Sequence, residues 1–327
     1  MALFKKKTKE HTSVDSPKST FDRIEPFLYL LPFILGVAVF TIYPIFNVIR
    51  YSFIEGLKQP LGNAMVKHCT FLLTDASSKG CSLSWGLANY TYVLEDKYFM
   101  NALINTGKYV LGVVPVSTCL AVVFAVFLNQ KIKLRGLFQT IYFLPMVTSS
   151  IAVGMCWRYM FNYNYGFINY LLNLIGIESI NWLGEPSMNI WAVIIFGIWN
   201  IMPMTIILLL SGLQNIDEMY YTAAKVDGAK PVRIFFRITV PLLAPTIGLV
   251  TILNTISSFK VYSSMFPLFS GRAGITGKNL YTAVYYIYDQ FFIKGYYGRA
   301  SAAAILLFFI IFAFTMFQKW FQNKTSN

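Results

Sequence analysis

Side chains that could perform acid–base or metal chemistry are scarce in this 327-residue chain. Its two histidines, His11 and His68, lie outside the long apolar runs, and no apolar run contains two carboxylates. An enzyme site needs titratable groups that meet in one place, and a zinc site needs closely spaced cysteine or histidine ligands. The sequence therefore predicts that the chain is not an enzyme and that it binds no metal or cofactor of its own.

The four cysteines leave one question of covalent chemistry open. Cys119 and Cys156 lie inside apolar runs, and we interpret them as packing residues. Cys69 and Cys81 share one polar loop, and they can pair if that loop lies outside the cell. A disulfide between them is our hypothesis, and two free thiols are the alternative.

The most informative pattern is the polar stretch at residues 216–241, which lies between two apolar runs. A helix-favouring segment stops at Gly228, and glycine readily takes the left-handed conformation that follows the last turn of many helices. Pro231 comes three positions later, where a second helix can begin. The small side chains of Ala223 and Ala224 allow another protein to approach closely. We predict a short helix-turn-helix that lies flat on the membrane surface, with an ordinary amphipathic interfacial helix as the alternative.

Long apolar runs flank this stretch and make up most of the chain. Hydrophobic residues account for 56% of the sequence and charged residues for only 13%, whereas soluble domains are about 25% charged. Runs of about 20 apolar residues match the hydrocarbon core of a bilayer. The first run follows several lysines, but it is too long for a signal peptide and no cleavage site follows it, so we expect it to be uncleaved. We predict six membrane-spanning helices, at residues 26–50, 103–128, 137–160, 188–212, 242–265 and 299–320.

Basic residues indicate the orientation and explain the net charge of +13. Lysines and arginines cluster in the N-terminal tail, after the second and fourth apolar runs, and at the C-terminus, so both termini are predicted to be cytoplasmic. The same distribution argues against nucleic-acid binding. The predicted regions are a cytoplasmic basic tail at 1–23, a single transmembrane domain at 24–322, and a cytoplasmic stub at 323–327. Within the domain we expect an outer-loop insertion at about 54–97 and a cytoplasmic loop at about 214–241.

The cytoplasmic loop resembles the EAA loop of binding-protein-dependent ABC importer permeases, which reads Glu-Ala-Ala, three residues, Gly, nine residues, Ile-x-Leu-Pro. Ala223-Ala224, Gly228, Ile238 and Pro241 occupy those positions. Two residues depart from the pattern, since Thr222 replaces the glutamate and Val240 replaces the leucine.

Further stretches resemble the first permease subunit of maltose-type carbohydrate importers, and together they cover nearly the whole chain. They are Leu30-Leu31-Pro32-Phe33, Tyr43-Pro44-Ile45, Gly86-Leu87-Ala88-Asn89-Tyr90, Phe143-Leu144-Pro145, Asn181-Trp182-Leu183, Leu213-Gln214-Asn215-Ile216 and Tyr297-Gly298-Arg299-Ala300-Ser301-Ala302. On these motifs the chain is identified as a member of that family.

The resemblance implies an all-α integral membrane protein with the type I ABC importer permease fold, six transmembrane helices and a cytoplasmic coupling helix. It also implies a bacterial plasma-membrane location among membrane lipid. The implied partners are a second homologous permease, two ATPase subunits that hold ATP and Mg²⁺, and an extracellular solute-binding protein. The residues implied in ATPase coupling are Thr222, Ala223, Ala224, Asp227, Gly228, Ala229, Ile238 and Pro241.

Sugar contacts in maltose-type permeases come from the two spans that flank the EAA loop. The matching positions are Gly197, Asn200, Ile201, Met204, Asn254, Ser257, Ser258 and Val261. For Asn200 and Asn254 the alternative is a hydrogen bond between helices. Lys260 follows them and is unusual within a predicted span. Aromatic residues near the outer boundary, such as Trp182 and Tyr286, are interpreted as interfacial anchors, with sugar stacking as the alternative.

The predicted function is that of a transmembrane subunit of an ATP-driven importer, which moves a sugar or oligosaccharide delivered by an extracellular binding protein. A permease of the same fold for an amino acid or a phosphonate is the first alternative, and a membrane enzyme is the second.

Overall fold

A computed structural model describes residues 20–55, 57, 84–130, 135–262, 267–269 and 280–326. The predicted disulfide pair, Cys69 and Cys81, lies outside these residues, as does most of the basic tail, so both stay predictions. The described chain is almost entirely helical, as the sequence predicts. Its contacts divide it into two units, up to Arg50 and from Tyr51 onward, and each unit is described by itself.

The first unit is one long apolar helix with a wider turn near its middle. Helix α1 (Thr20–Val37) passes through a π-helical turn (Ala38–Ile42) into α2 (Tyr43–Ser52), without leaving helical backbone angles. Pro44 lies two residues after that turn, and because proline has no N–H, the regular bond to Phe40 is absent and the helix widens there. The part Tyr29–Ser52 has a mean hydropathy of 2.0 over its most apolar window, which suits a membrane span.

The second unit begins with a short strand pair, whose two strands precede and follow the undescribed residues 58–83 in the sequence. Strand β1 (Ile54–Glu55) pairs antiparallel with β2 (Ser84–Trp85), and helix α3 (Ala88–Glu95) follows. The Asn89 amide donates to the carbonyl oxygens of Ser52 at 3.1 Å and Ile54 at 2.9 Å, which fixes the strand pair to the helix. The remaining elements are α4 (Lys97–Asn129), α5 (Arg135–Val147), α6 (Ser150–Met160), α7 (Phe167–Leu174), α8 (Pro186–Gln214), α9 (Glu218–Val226), α10 (Pro231–Ile234), a π-helical turn (Phe235–Thr239), α11 (Val240–Phe259), α12 (Ala283–Tyr288), a second π-helical turn of this unit (Asp289–Ile293) and α13 (Tyr297–Ser326).

Five helices of the described chain are long and apolar enough to cross a membrane, and each overlaps a predicted span. They are Tyr29–Ser52, Lys97–Asn129, Pro186–Gln214, Pro231–Phe259 and Tyr297–Lys324. The fourth of these differs most from its prediction, because it begins at Pro231 rather than near residue 242. It also ends at Phe259, so Lys260 is an exposed residue at the helix terminus. Lys260 therefore follows the helix directly, although the predicted span continues to residue 265.

The predicted span at 137–160 is not one straight helix. Residues Gly136–Val147 and Ser150–Met160 are apolar enough to cross together, but their axes differ by 104°. Pro145 lies in the last turn of α5, and Thr148 bonds back to the Pro145 carbonyl at 2.9 Å. A proline followed by β-branched and hydroxyl side chains favours leaving the helix. The described residues contain six candidate spans when this bent pair counts as one.

The core of the second unit is built around α4, which makes its most extensive contact with α8 and also packs against α11. Fully buried Val113, Ala121 and Ala125 of α4 face buried apolar residues of α8 such as Ile206 and Leu209. Small residues at helix crossings permit this close approach, as is usual between helices in membranes.

Candidate functional site

The first predicted site, at 216–241, is a helix-turn-helix with well-formed ends. Asp217 caps helix α9, since its side chain accepts a hydrogen bond from the Met219 N–H at 2.9 Å. An aspartate at this position satisfies an otherwise free N–H group and suits the positive end of the helix dipole. Asp217 was not assigned a role from the sequence, and the structure shows that it caps the helix.

The end of α9 is a Schellman motif centred on Gly228. Gly228 has φ +70°, in the left-handed region that the sequence predicted for it. Its N–H donates to the Lys225 carbonyl at 3.0 Å, and the Ala229 N–H donates to the Ala224 carbonyl at 2.9 Å. These two bonds close the helix and reverse the chain. A β-carbon at Gly228 would meet no atom within 4 Å, so the backbone angle alone explains the glycine.

The predicted coupling residues divide into one buried side chain and a largely exposed remainder. Ala224 is only 7% exposed, so it anchors α9 to its own chain. Thr222 is exposed and its hydroxyl donates to the Glu218 carbonyl at 3.1 Å, within the same helix. The other exposed positions are Ala223, Asp227, Gly228 and Pro241, while Ala229 and Ile238 are half-buried. The exposed set forms the surface that a partner can reach.

The second arm of the turn continues without a break into a membrane helix. Pro231 occupies the first turn of α10, the π-helical turn follows, and α11 continues to Phe259. The Val240 N–H bonds to the Phe235 carbonyl, five residues back, directly before Pro241 removes one donor. One continuous helical segment therefore connects the turn to the predicted substrate residues on α11.

The predicted substrate positions on α8 lie on two faces of the helix, one buried and one exposed. Gly197 is buried against Tyr109 of α4, and a β-carbon there would overlap the tyrosine hydroxyl. Gly197 thus serves the packing of α4 on α8 in this structure. Asn200 and Met204 lie one turn apart on an exposed face, and Ile201 is half-buried between the two faces.

On α11, Asn254 is buried and bonded across the helix pair. Its amide donates to the Thr205 hydroxyl at 3.0 Å, and that hydroxyl lies 3.2 Å from the Asn254 carbonyl oxygen and 3.0 Å from the Ile201 carbonyl. The structure brings Asn254 to α8, but not to the exposed Asn200. Among the other positions Ser257 is exposed, Val261 is buried, and the buried Ser258 hydroxyl has no hydrogen-bond partner among the described residues.

Three residues of this region were not singled out from the sequence. Thr205 and Tyr109 contact predicted site residues directly, and Gln318 of α13 donates to the Thr255 hydroxyl of α11 at 2.9 Å. A polar residue inside an apolar run can be found in the sequence and indicates a functional or packing role. The residue that it contacts cannot be found in this way, because that depends on how the helices pack.

The aromatic residues near the predicted outer boundary divide into buried core residues and exposed side chains, and this corrects part of the interfacial interpretation. Tyr286 is fully buried and its hydroxyl donates to Asp96 at 2.7 Å, while Trp182 is buried and bonds to Asn169 at 2.9 Å. Burial and the Asp96 hydrogen bond raise the pKa of Tyr286, so its hydroxyl stays a donor. Exposed members such as Tyr159 and Tyr163 fit the anchoring role.

Curated relatives of this chain are transport system permease proteins. The chain is 34% identical over 231 residues to the trehalose/maltose transport system permease protein MalF of Thermococcus litoralis, covering 71% of this chain and 77% of the relative. It is 32% identical over 313 residues to the arabinooligosaccharides transport system permease protein AraP of Halalkalibacterium halodurans, covering 94% and 92%.

Comparisons of fold and family agree with these relatives. A chain of a bacterial alginate ABC transporter, solved with an alginate pentasaccharide-bound periplasmic protein, superposes with a TM-score of 0.75 at 19% identity, covering 94% of this chain and 98% of that one. Residues 117–327 match the family of binding-protein-dependent transport system inner membrane components. The chain therefore belongs to this family and is a multi-pass permease subunit of an ABC importer rather than an enzyme.

Proposed function

We propose that this permease carries a sugar or oligosaccharide across the bacterial plasma membrane. Support for this substrate class comes from relatives over most of the chain, whose names refer to trehalose/maltose and arabinooligosaccharides. The exposed Asn200 on α8 and Ser257 on α11 supply hydrogen-bonding groups of the kind that sugar hydroxyls require.

The turn at residues 217–229 is proposed to be the contact for an ATPase subunit. The observation that carries this proposal is the Schellman motif at Gly228, because it presents an exposed, rigid turn at one end of a continuous membrane helix. A second permease and two ATPases that bind ATP and Mg²⁺ complete the proposed importer, and an extracellular binding protein delivers the sugar. ATP-driven closure of the ATPases then moves the turn and rocks the helices.

Both termini are proposed to be cytoplasmic, on the distribution of Lys and Arg. A reporter fused at Asn327 that works only in the cytoplasm is expected to be active. A fusion that works only outside the cell and is active there contradicts this topology.

The substrate class is tested with the partners that co-purify with the tagged chain. The complex is reconstituted in vesicles and supplied with its binding protein, loaded with oligosaccharides, amino acids or phosphonates in turn. ATP hydrolysis and uptake are expected to rise several-fold only with a sugar. Stimulation by an amino acid or phosphonate alone identifies the alternative substrate, and failure of any ATPase to co-purify contradicts the importer assembly itself.

A further inference from the structure

A basic groove lies directly beyond the Schellman turn, at the start of the helix that becomes α11. It has a volume of about 530 Å³ and is open to the surface. Its lining consists of Gly228, Lys230, Val232, Arg233, Phe236 and Arg237. Three of these six residues are cationic and none is anionic, so the groove is suited to an anion.

The cations of the basic groove form no ion pair with a described residue. Lys230, Arg233 and Arg237 are all exposed. Arg233 and Arg237 are four residues apart on one helical stretch, so their side chains lie on the same face. Like charges at this spacing repel each other, and a bound phosphate would remove that repulsion. Arginine is well suited to phosphate because its planar group donates two parallel hydrogen bonds.

Two large apolar side chains line the same groove. Val232 is 68% exposed and Phe236 is 65% exposed, and they too are four residues apart. A free phosphate or nucleotide would use the cations but would leave these apolar surfaces in water. A ligand with an anionic head and an apolar tail uses both halves of the lining.

The length of the helix places the basic groove at headgroup depth. The helix Pro231–Phe259 contains 29 residues and is about 43 Å long at 1.5 Å per residue. The hydrocarbon core takes only about 20 residues. A bilayer with both headgroup layers is about 40–45 Å thick, so a helix of this length that crosses both layers has its first two turns, with Val232, Arg233, Phe236 and Arg237, in one headgroup layer and at its boundary with the hydrocarbon core.

We propose that the basic groove binds an anionic phospholipid, with Lys230, Arg233 and Arg237 around the headgroup phosphate and with Val232 and Phe236 against the glycerol backbone and the start of the acyl chains. The site adjoins the turn proposed to contact the ATPase, so an occupied groove stabilises the end of the helix that carries the turn. This inference goes beyond the proposed transport function and concerns which lipid the subunit holds.

Lipid binding is measured on the complete complex purified in detergent and titrated with phosphatidylglycerol, with phosphatidylcholine as the neutral lipid. Arg233→Gln/Arg237→Gln is compared with Lys319→Gln/Lys324→Gln, which removes two exposed charges from the end of α13. The first pair is expected to weaken phosphatidylglycerol binding by about tenfold or more, and the second by less than about twofold. Equal weakening by both pairs, or no effect of either, overturns the proposal.

Two controls separate the lipid from other ligands of the same charge. Millimolar inorganic phosphate is expected not to displace phosphatidylglycerol, and displacement would make the basic groove a simple anion site. The ATPase subunits are expected to remain bound to Arg233→Gln/Arg237→Gln in lipid-free detergent. Loss of the ATPase with unchanged lipid affinity assigns the groove to ATPase docking and contradicts the proposal, while the proposed importer function would stand.

Discussion

The proposed coupling turn at residues 217–229 and the proposed substrate positions on α8 and α11 differ in what determines their structure. The turn is defined within its own few residues, by the Asp217 cap and by the left-handed Gly228. The substrate positions are defined by contacts between helices, as where Asn254 of α11 meets Thr205 of α8. A motif in the sequence therefore specifies the turn, but it does not specify which polar residues of the two helices face a substrate.

The predicted substrate positions on α8 and α11 therefore fall into two groups, those that contact other helices and those that are exposed. Gly197 and Asn254 are occupied by contacts within the chain, whereas Asn200 and Ser257 are exposed. Residues already bonded across a helix pair hold the bundle together, and exposed polar residues remain available to a substrate or a second subunit. Variants at these positions test whether each residue acts in helix packing or in substrate binding.

Replacing Gly197 by leucine has the largest expected effect. The new side chain would overlap Tyr109, which is 3% exposed, inside the most extensive helix contact of the second unit. Overpacking of this kind costs about 1–3 kcal/mol or more, so the amount of folded, membrane-inserted protein should fall sharply. Gly107→Leu on α4 is the matched control, since a β-carbon there meets nothing within 4 Å. Stable Gly197→Leu protein that is only transport-defective would assign Gly197 to substrate binding instead.

Ala224→Glu should abolish uptake while leaving the membrane spans inserted. Ala224 is 7% exposed, and a carboxylate there must either be buried without a partner or force α9 away from the chain. Limited proteolysis is expected to cut the variant near α9. Ala223→Glu, one position earlier and exposed, should leave α9 resistant to protease and reduce ATPase binding alone. Identical protease patterns for the two variants contradict the buried role of Ala224.

Asn200→Leu should lower sugar uptake by about tenfold, the effect of losing one or two hydrogen bonds to a bound hydroxyl. Its thermal stability should be unchanged, because the Asn200 side chain is exposed in the described chain.

Asn254→Leu should instead destabilise the protein by about 0.5–1.5 kcal/mol through loss of the Thr205 bond. A double-mutant cycle with Thr205→Val measures that pair. Normal stability with a raised KM in Asn254→Leu would return Asn254 to the substrate site.

Thr222→Ala is expected to have the smallest effect. Its hydroxyl bonds only to the Glu218 carbonyl of its own helix, and such bonds contribute little to helix stability. Uptake and ATPase co-purification should both stay within about twofold of wild type. A larger loss in either measurement would mean that the threonine hydroxyl makes the contact made by the glutamate of the EAA motif.

Much of the fold was predictable because bilayer thickness imposes a length on every apolar run. The run at 188–212 corresponds closely to α8, and Gly228 has the predicted left-handed angle. The 104° bend after Pro145 and the continuous helix through Pro241 were not predicted, since proline can bend, widen or simply begin a helix. The pairing of Asn254 with Thr205 depends on helix rotation, which a periodicity in one helix does not reveal.

The central claim, that a left-handed Gly228 shapes the surface that captures an ATPase, is tested most directly by comparing Gly228→Val with Gly228→Asn. Both side chains enter open space at φ +70°, but valine is strained there by about 1–2 kcal/mol, whereas asparagine tolerates the conformation. Gly176→Val, at φ +80° and equally open, is the control for strain outside the turn. ATPase co-purification and sugar uptake should be lost in Gly228→Val and largely retained in Gly228→Asn and Gly176→Val. Wild-type levels of both in Gly228→Val would contradict the account.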